Sequence, residues 1–133
     1  MVCIYCGKDT QVINSRLQRR SNQIWRRRKC LNCKSVFTSQ EAVDLPKSLS
    51  FRTSQNALQP FSRDILFISI FEACKHRKHA IVDASGLTDT VLGRLRPYMT
   101  DAVIDSAQVI KTTLAVLKRF DKAASVFYAA YHS

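Results

Sequence analysis

The sequence predicts an α+β chain in two parts, a small metal-stapled β unit over residues 1–43 and a mostly helical domain over residues 44–133. Three observations predict it. Two Cys-x-x-Cys pairs, Cys3/Cys6 and Cys30/Cys33, bracket 23 residues in which short apolar pairs flank a polar turn. From about residue 62 the apolar positions fall at helical spacing behind cap residues. The 133 residues are 46% hydrophobic, which suits a folded chain of one average domain or two small ones.

Two Cys-x-x-Cys pairs at this separation aim four thiolates at one tetrahedral zinc ion. Cys3, Cys6, Cys30 and Cys33 fill every position, so one zinc reads as scaffold and not as catalyst. A segment this short builds no large core, and the metal substitutes for one. No run of 18 apolar residues occurs and no signal-peptide core opens the chain, so a cytoplasmic, reducing setting and no membrane partner are expected. There, paired cysteines hold metal rather than disulfides. A redox protein is the alternative, but it would carry a βαβ context around one motif.

Gly7 follows Cys6, where a tight knuckle turn asks for positive φ, and Lys34 takes that place after Cys33. Val12-Ile13 and Ile24-Trp25 flank the polar residues 18–22, a hairpin, and residues 35–39 read as a closing strand. Three short strands and two knuckles make a zinc ribbon. Between the cysteine pairs stand Arg16, Arg19, Arg20, Arg26, Arg27, Arg28 and Lys29, with no acid between Asp9 and Glu41. The chain carries +11, with a pI near 9.9, and four zinc-bound thiolates would lower that charge by two. The excess favours a polyanion. We take Arg16, Arg19, Trp25, Arg26, Arg27, Arg28 and Lys29 as candidate DNA contacts. Alternation puts Ile24, Arg26 and Arg28 on one face and Trp25, Arg27 and Lys29 on the other, so that one face meets phosphate and one meets base edges. Trp25 is a stacking platform or the ribbon's large apolar filler.

Residues 44–60 read as a link and a first extended segment. Ser62 caps a helix over 65–78 that is apolar around most of its circumference and therefore buried in a core or an interface. Arg63, in its first turn, reads as solvent-facing rather than as a phosphate ligand. Cys74 is a small hydrophobe, and His76 and His79 belong to a basic helix end rather than to a second metal site. A further helix spans 87–96 and closes at Pro97, Asp105 or Ser106 caps another, and Asp121 caps the last, four helices in all.

Two stretches now resemble a known family. Cys3-x-x-Cys6, Val12-Ile13-Asn14-Ser15-Arg16, Arg26-Arg27-Arg28-Lys29-Cys30-Leu31-x-Cys33 and Phe37-Thr38-x-x-Glu41 resemble the zinc-ribbon half of the bacterial NrdR repressors. Pro60-Phe61, Asp64-Ile65-Leu66, and the run from Asp105-Ser106 to Tyr131 look like the second half, an ATP-cone. The resemblance implies a transcriptional repressor of ribonucleotide reductase genes. Its ATP-cone-like domain would bind ATP or dATP, set the order of a homo-oligomer, and thereby align ribbons on promoter operators of double-stranded DNA. Cones of this family open with a Val-Val-Lys-Arg-Asp-Gly strand. Here Leu49-Ser50-Phe51-Arg52-Thr53-Ser54-Gln55-Asn56 keeps only Arg52, with Lys47 nearby, as candidate nucleotide ligands. The alternative is a cone that serves only as an oligomerisation domain beside a general nucleic-acid-binding ribbon. No catalytic constellation or Walker loop occurs, and no enzyme is expected.

Overall fold

The computed structural model describes residues 1–132, in two compact units, Met1–Val43 and the described residues from Asp44 onward. In the first unit β1 (Thr10–Gln18), β2 (Gln23–Cys30) and β3 (Val36–Ala42) form an antiparallel sheet in that order. The strands run further than the apolar pairs alone suggested. The Arg26–Lys29 stretch continues β2 because neighbouring strands offer hydroxyls to its guanidiniums, Ser15 to Arg26, Thr38 to Arg27 and Ser39 to Arg28. The β1–β2 register shifts between Val12 and Asn14: Val12 lies opposite Arg28 and Asn14 opposite Arg27, leaving Ile13 as a bulge. Burial is confined to Cys3, Cys30 and Phe37, with Tyr5 edge-on to Phe37 at 6.5 Å. So small a core cannot hold a sheet by itself, which gives the cysteines their task.

The second unit opens with the single turn α1 (Leu45–Ser48), capped by Asp44, whose carboxylate accepts the Lys47 N–H at 3.2 Å. β4 (Ser50–Arg52) pairs antiparallel with β5 (Leu58–Pro60) and parallel with β6 (Val103–Asp105). The sequence reading had one extended segment here and no third strand, because three-residue strands carry no readable period. α2 (Arg63–Ala73) starts where Ser62 accepts the Ile65 N–H, and ends five residues earlier than expected. Its successors 75–79 leave the helix as Arg77 turns to bind Asp83 at 2.8 Å and Asp121 at 2.8 Å. α3 (Ala80–Leu95) begins two turns before residue 87. Gly86 looks like a breaker but is tolerated because buried Ala84 and Leu87 anchor its flanks. Pro97 sits in a closing 3₁₀ turn, Arg96–Tyr98. α4 (Ser106–Phe120) and α5 (Lys122–His132) follow, with Asp121 between them accepting the Ala124 N–H.

Four long helices thus pack around Leu66, Ile70, Val91, Leu95, Ile104, Leu117, Ala124 and Tyr128. Thr88 and Thr113 are buried among them, and each hydroxyl donates to the carbonyl four residues back at 2.7 Å. One expectation changes. Arg63 does not face solvent: it lies half-buried and reaches α3, donating to Asp89 at 2.8 Å and to the Ser85 carbonyl at 3.3 Å. α2 covers Leu66, Ile70 and Ala73 in the core, while Ile65 and Ile68 are exposed in the single chain. Among the described residues no helix is long and apolar enough to cross a membrane.

Candidate metal centre and nucleic-acid interface

The two knuckles are built alike. After Cys3 the chain folds back so that the Gly7 N–H meets the Cys3 carbonyl at 2.9 Å and the Cys3 N–H meets the Lys8 carbonyl at 2.8 Å. After Cys30 the Cys30 N–H meets the Ser35 carbonyl at 2.9 Å. Gly7 (φ 76) and Lys34 (φ 65) occupy the same left-handed position, one without a Cβ and one with it. Backbone N–H groups point at sulfur in both turns, Tyr5 to Cys3 at 3.4 Å and Asn32 to Cys30 at 3.3 Å.

The four sulfurs converge. Cys3 Sγ lies 3.8 Å from Cys33 Sγ and Cys6 Sγ 3.5 Å from Cys30 Sγ, all four within 4.8 Å of one another. Zinc–sulfur bonds of about 2.3 Å at tetrahedral angles put sulfurs about 3.8 Å apart, so the donor set fits one zinc ion. Cys3 and Cys30 are buried, Cys6 and Cys33 exposed. The Ser35 hydroxyl, then its backbone, hold the Cys33 thiol down at about 6, and the Cys33 N–H lowers Cys30, whereas burial raises Cys3. Three of these influences favour the thiolates a metal requires. Bound there, zinc supplies a structural cross-link with no open coordination position. Cys74 lies in the other unit's core, and His76 donates to the Asp121 carboxylate at 2.8 Å, so neither joins the four-cysteine cluster.

The register sorts the basic residues. On the face of Phe37 lie Arg26 and Arg28, with Ser15 and Val12 beside them on β1. Arg26 donates to Ser15 Oγ at 3.0 Å and lies 3.6 Å from Glu41, and Arg28 donates to Ser39 Oγ at 2.9 Å. On the face of Trp25 lie Arg27 and Lys29, with Gln11, Asn14 and Arg16 across from them on β1. Arg16, Arg27 and Lys29 are exposed, and so is Trp25, at 40%. Trp25 is therefore not the filler of a ribbon core. Arg19 stands in the hairpin turn, where Asn22 takes φ 51. A shallow concavity of about 180 Å³ opens among Asn14, Arg16, Trp25, Arg27 and Thr38, with Ser15, Gln18 and Arg26 also on its wall. Alternation along β2 foresaw this split of the arginines. The placement of Asn14 and Gln11 was missed, because it depends on the bulge and the cross-strand register.

In the second unit a cavity of about 180 Å³ lies among Phe51, Phe61, Ile65, Val109, Ile110 and Tyr128, with Gln59, Ser62, Ser69, Ser106 and His132 also on its wall. Lys47, exposed in α1, and Arg52, 3.7 Å from Asp105 on β6, are not on its wall. No lysine or arginine lines it.

Residues 1–41 match the family model described as "Transcriptional repressor NrdR-like, N-terminal domain". Over its length the chain is similar to proteins named "Transcriptional repressor NrdR". That of Syntrophotalea carbinolica is 32% identical over 99% of this chain and 83% of its own length. Those of Desulforapulum autotrophicum and Symbiobacterium thermophilum are 31% and 28% identical, again over 99% of this chain and over 79% and 87% of their own lengths.

Proposed function

This chain belongs to the NrdR family of transcriptional repressors, and from that premise we propose that it represses promoters by docking its zinc-stapled ribbon on double-stranded DNA while the helical unit joins copies of the chain. It is a regulator and not an enzyme, and it works in the cytoplasm on nucleoid DNA. The observation that carries the reading is the ribbon's Trp25 face, exposed and basic, with Arg16, Arg27 and Lys29 on strands whose single acid, Glu41, lies on the opposite face. Such a surface attracts phosphates by counterion release, and a metal-stapled sheet holds it rigid. One small ribbon makes few contacts, so joining copies raises affinity through effective concentration. Ile65 and Ile68 on α2, with Phe127 and Tyr131 on α5, are exposed apolar residues that support the assembling role.

The family resemblance also points to ATP or dATP as the signal. The residues present do not fit a triphosphate: besides rings and aliphatic chains the cavity walls offer only the neutral groups of Gln59, Ser62, Ser69 and Ser106 and the His132 imidazole, with no lysine or arginine, and Arg52 lies off the wall, 3.7 Å from Asp105. The helical unit therefore serves as an assembly scaffold. The test is fluorescence anisotropy of zinc-loaded protein on the source genome's ribonucleotide reductase promoter against scrambled duplex, without nucleotide and with ATP or dATP. Selective binding indifferent to nucleotide is expected. A response that differs between the nucleotides overturns the scaffold reading, and no selectivity overturns the repressor reading.

A further inference from the structure

We infer that the two faces of the ribbon sheet divide the labour: the face of Trp25 reads base edges in the DNA major groove, and the arginines on the face of Phe37 brace the sheet. This rests on the DNA-binding reading above. Arg26 and Arg28 are half-buried and already engaged, Arg26 with Ser15 and Glu41, Arg28 with Ser39. Turning them to DNA would break those bonds and bring the Glu41 carboxylate towards phosphate. Their chemistry is cross-strand bracing in a unit with little core.

The other face carries the reverse pattern. Gln11, Asn14 and Arg16 on β1 stand opposite Lys29, Arg27 and Trp25 on β2. Among the described residues Arg27 is tied only to the neutral hydroxyl of Thr38, at 3.2 Å. Guanidinium and carboxamide groups are the side chains that make paired hydrogen bonds to guanine and adenine edges, and an apolar surface meets the thymine methyl. Trp25 supplies the apolar surface. Its Nε1 donates to Gln23 at 3.3 Å, so its ring carbons are what it offers a partner, beside the concavity among Asn14, Arg16 and Arg27. A two-stranded β ribbon fits the major groove, and nine residues of β1 span about 30 Å, close to one turn of duplex. The bulge at Ile13 completes the device. Paired in register instead of bulged, Ile13 would send Asn14 and Arg16 onto the Phe37 face with Val12.

The experiment selects a preferred site from a random duplex library with the zinc-loaded full chain. It then measures anisotropy on that site and on its scrambled form, with zinc content checked for every variant. Trp25→Ala and Arg27→Ala should each lower the ratio of the two affinities about tenfold. Trp25→Phe should keep most of the ratio. Arg27→Lys should lose the ratio but keep the salt dependence, since it retains charge without the fork. Arg26→Ala and Arg28→Ala should change the ratio by less than about threefold and lower the unfolding midpoint. The inference falls if Arg26→Ala or Arg28→Ala, fully zinc-loaded, abolishes discrimination while the Trp25 and Arg27 variants keep it; the DNA-binding reading then survives. It also falls if Trp25→Ala weakens both duplexes equally, which marks a backbone contact. A wild-type chain that selects no sequence overturns both readings together.

Discussion

The knuckles supply a reciprocal pair of substitutions whose signs are set by one backbone angle. Gly7 sits at φ 76, and a Cβ built there meets no atom within 4 Å, so Gly7→Ala introduces no clash and its cost is conformational. Holding an L-residue in the left-handed region costs about 1–2 kcal/mol. Restricting the unfolded chain by replacing glycine returns about 0.4–1 kcal/mol. The net is a loss of at most about 1.6 kcal/mol and about 0.8 kcal/mol at mid-range. Because ribbon folding and zinc binding are coupled, the mid-range loss is a zinc affinity lower by about fourfold, with about fifteenfold as the upper bound. Lys34→Gly runs the other way, since Lys34 already bears the strain at φ 65. Its gain is reduced by the lost bond from Lys34 Nζ to the Leu31 carbonyl at 2.9 Å, an exposed contact worth about 0.5 kcal/mol or less. Competition against a chromophoric zinc chelator at fixed pH measures both. If Gly7→Ala leaves affinity unchanged, or Lys34→Gly weakens it, the knuckle angles do not set the metal's hold.

Other consequences are as direct. Leu117 is fully buried among the helices, so Leu117→Ala should cost about 2–5 kcal/mol in urea unfolding followed by the helical circular dichroism, with zinc affinity unchanged. Ser35 lowers the Cys33 thiol to about 6 from 9.0, so Ser35→Ala should raise it and let protons compete better with zinc. The pH of half-maximal zinc release should therefore move upward, and the two proteins should converge above about pH 9, where the free thiol ionises by itself. Asp121 has its carboxyl held well below the usual carboxylate range by His76, then Arg77, then the Ala124 N–H. A depressed folded value means that its stabilisation is complete above about pH 4 and fades as pH falls through the folded value. The stability gap between wild type and Asp121→Asn should accordingly hold at neutral pH and narrow in strong acid.

The metal centre was legible because its chemistry is local: two Cys-x-x-Cys pairs name their ligands wherever the chain folds. The split of Arg26 and Arg28 from Arg27 was legible too, since alternation is a property of one strand. Their partners were not. Ser15 and Ser39 meet these arginines only through cross-strand register, and that register depends on a bulge with no signature in the alternation of β1. The helices from Ser62 and Asp121 onward announced themselves through caps. The start of α3 did not, because Gly86 resembles a break until the burial of Ala84 and Leu87 is known. Arg63 shows the same limit: a charge in a first turn reads as solvated until Asp89, 26 residues on, arrives beside it.

The bulge at Ile13 also governs how this ribbon is compared with others. Two ribbons aligned letter by letter through this point can agree at every residue and still show opposite side chains, if one of them pairs residue 13 in register instead of bulging it. Flattening the bulge would alter no charge and remove no candidate contact, yet it would turn the β1 half of the surface inside out, as reversing one glove of a pair does. A transplant of sequence preference from one ribbon to another must therefore keep the two-for-one pairing at Val12 to Asn14 along with the residues that touch DNA.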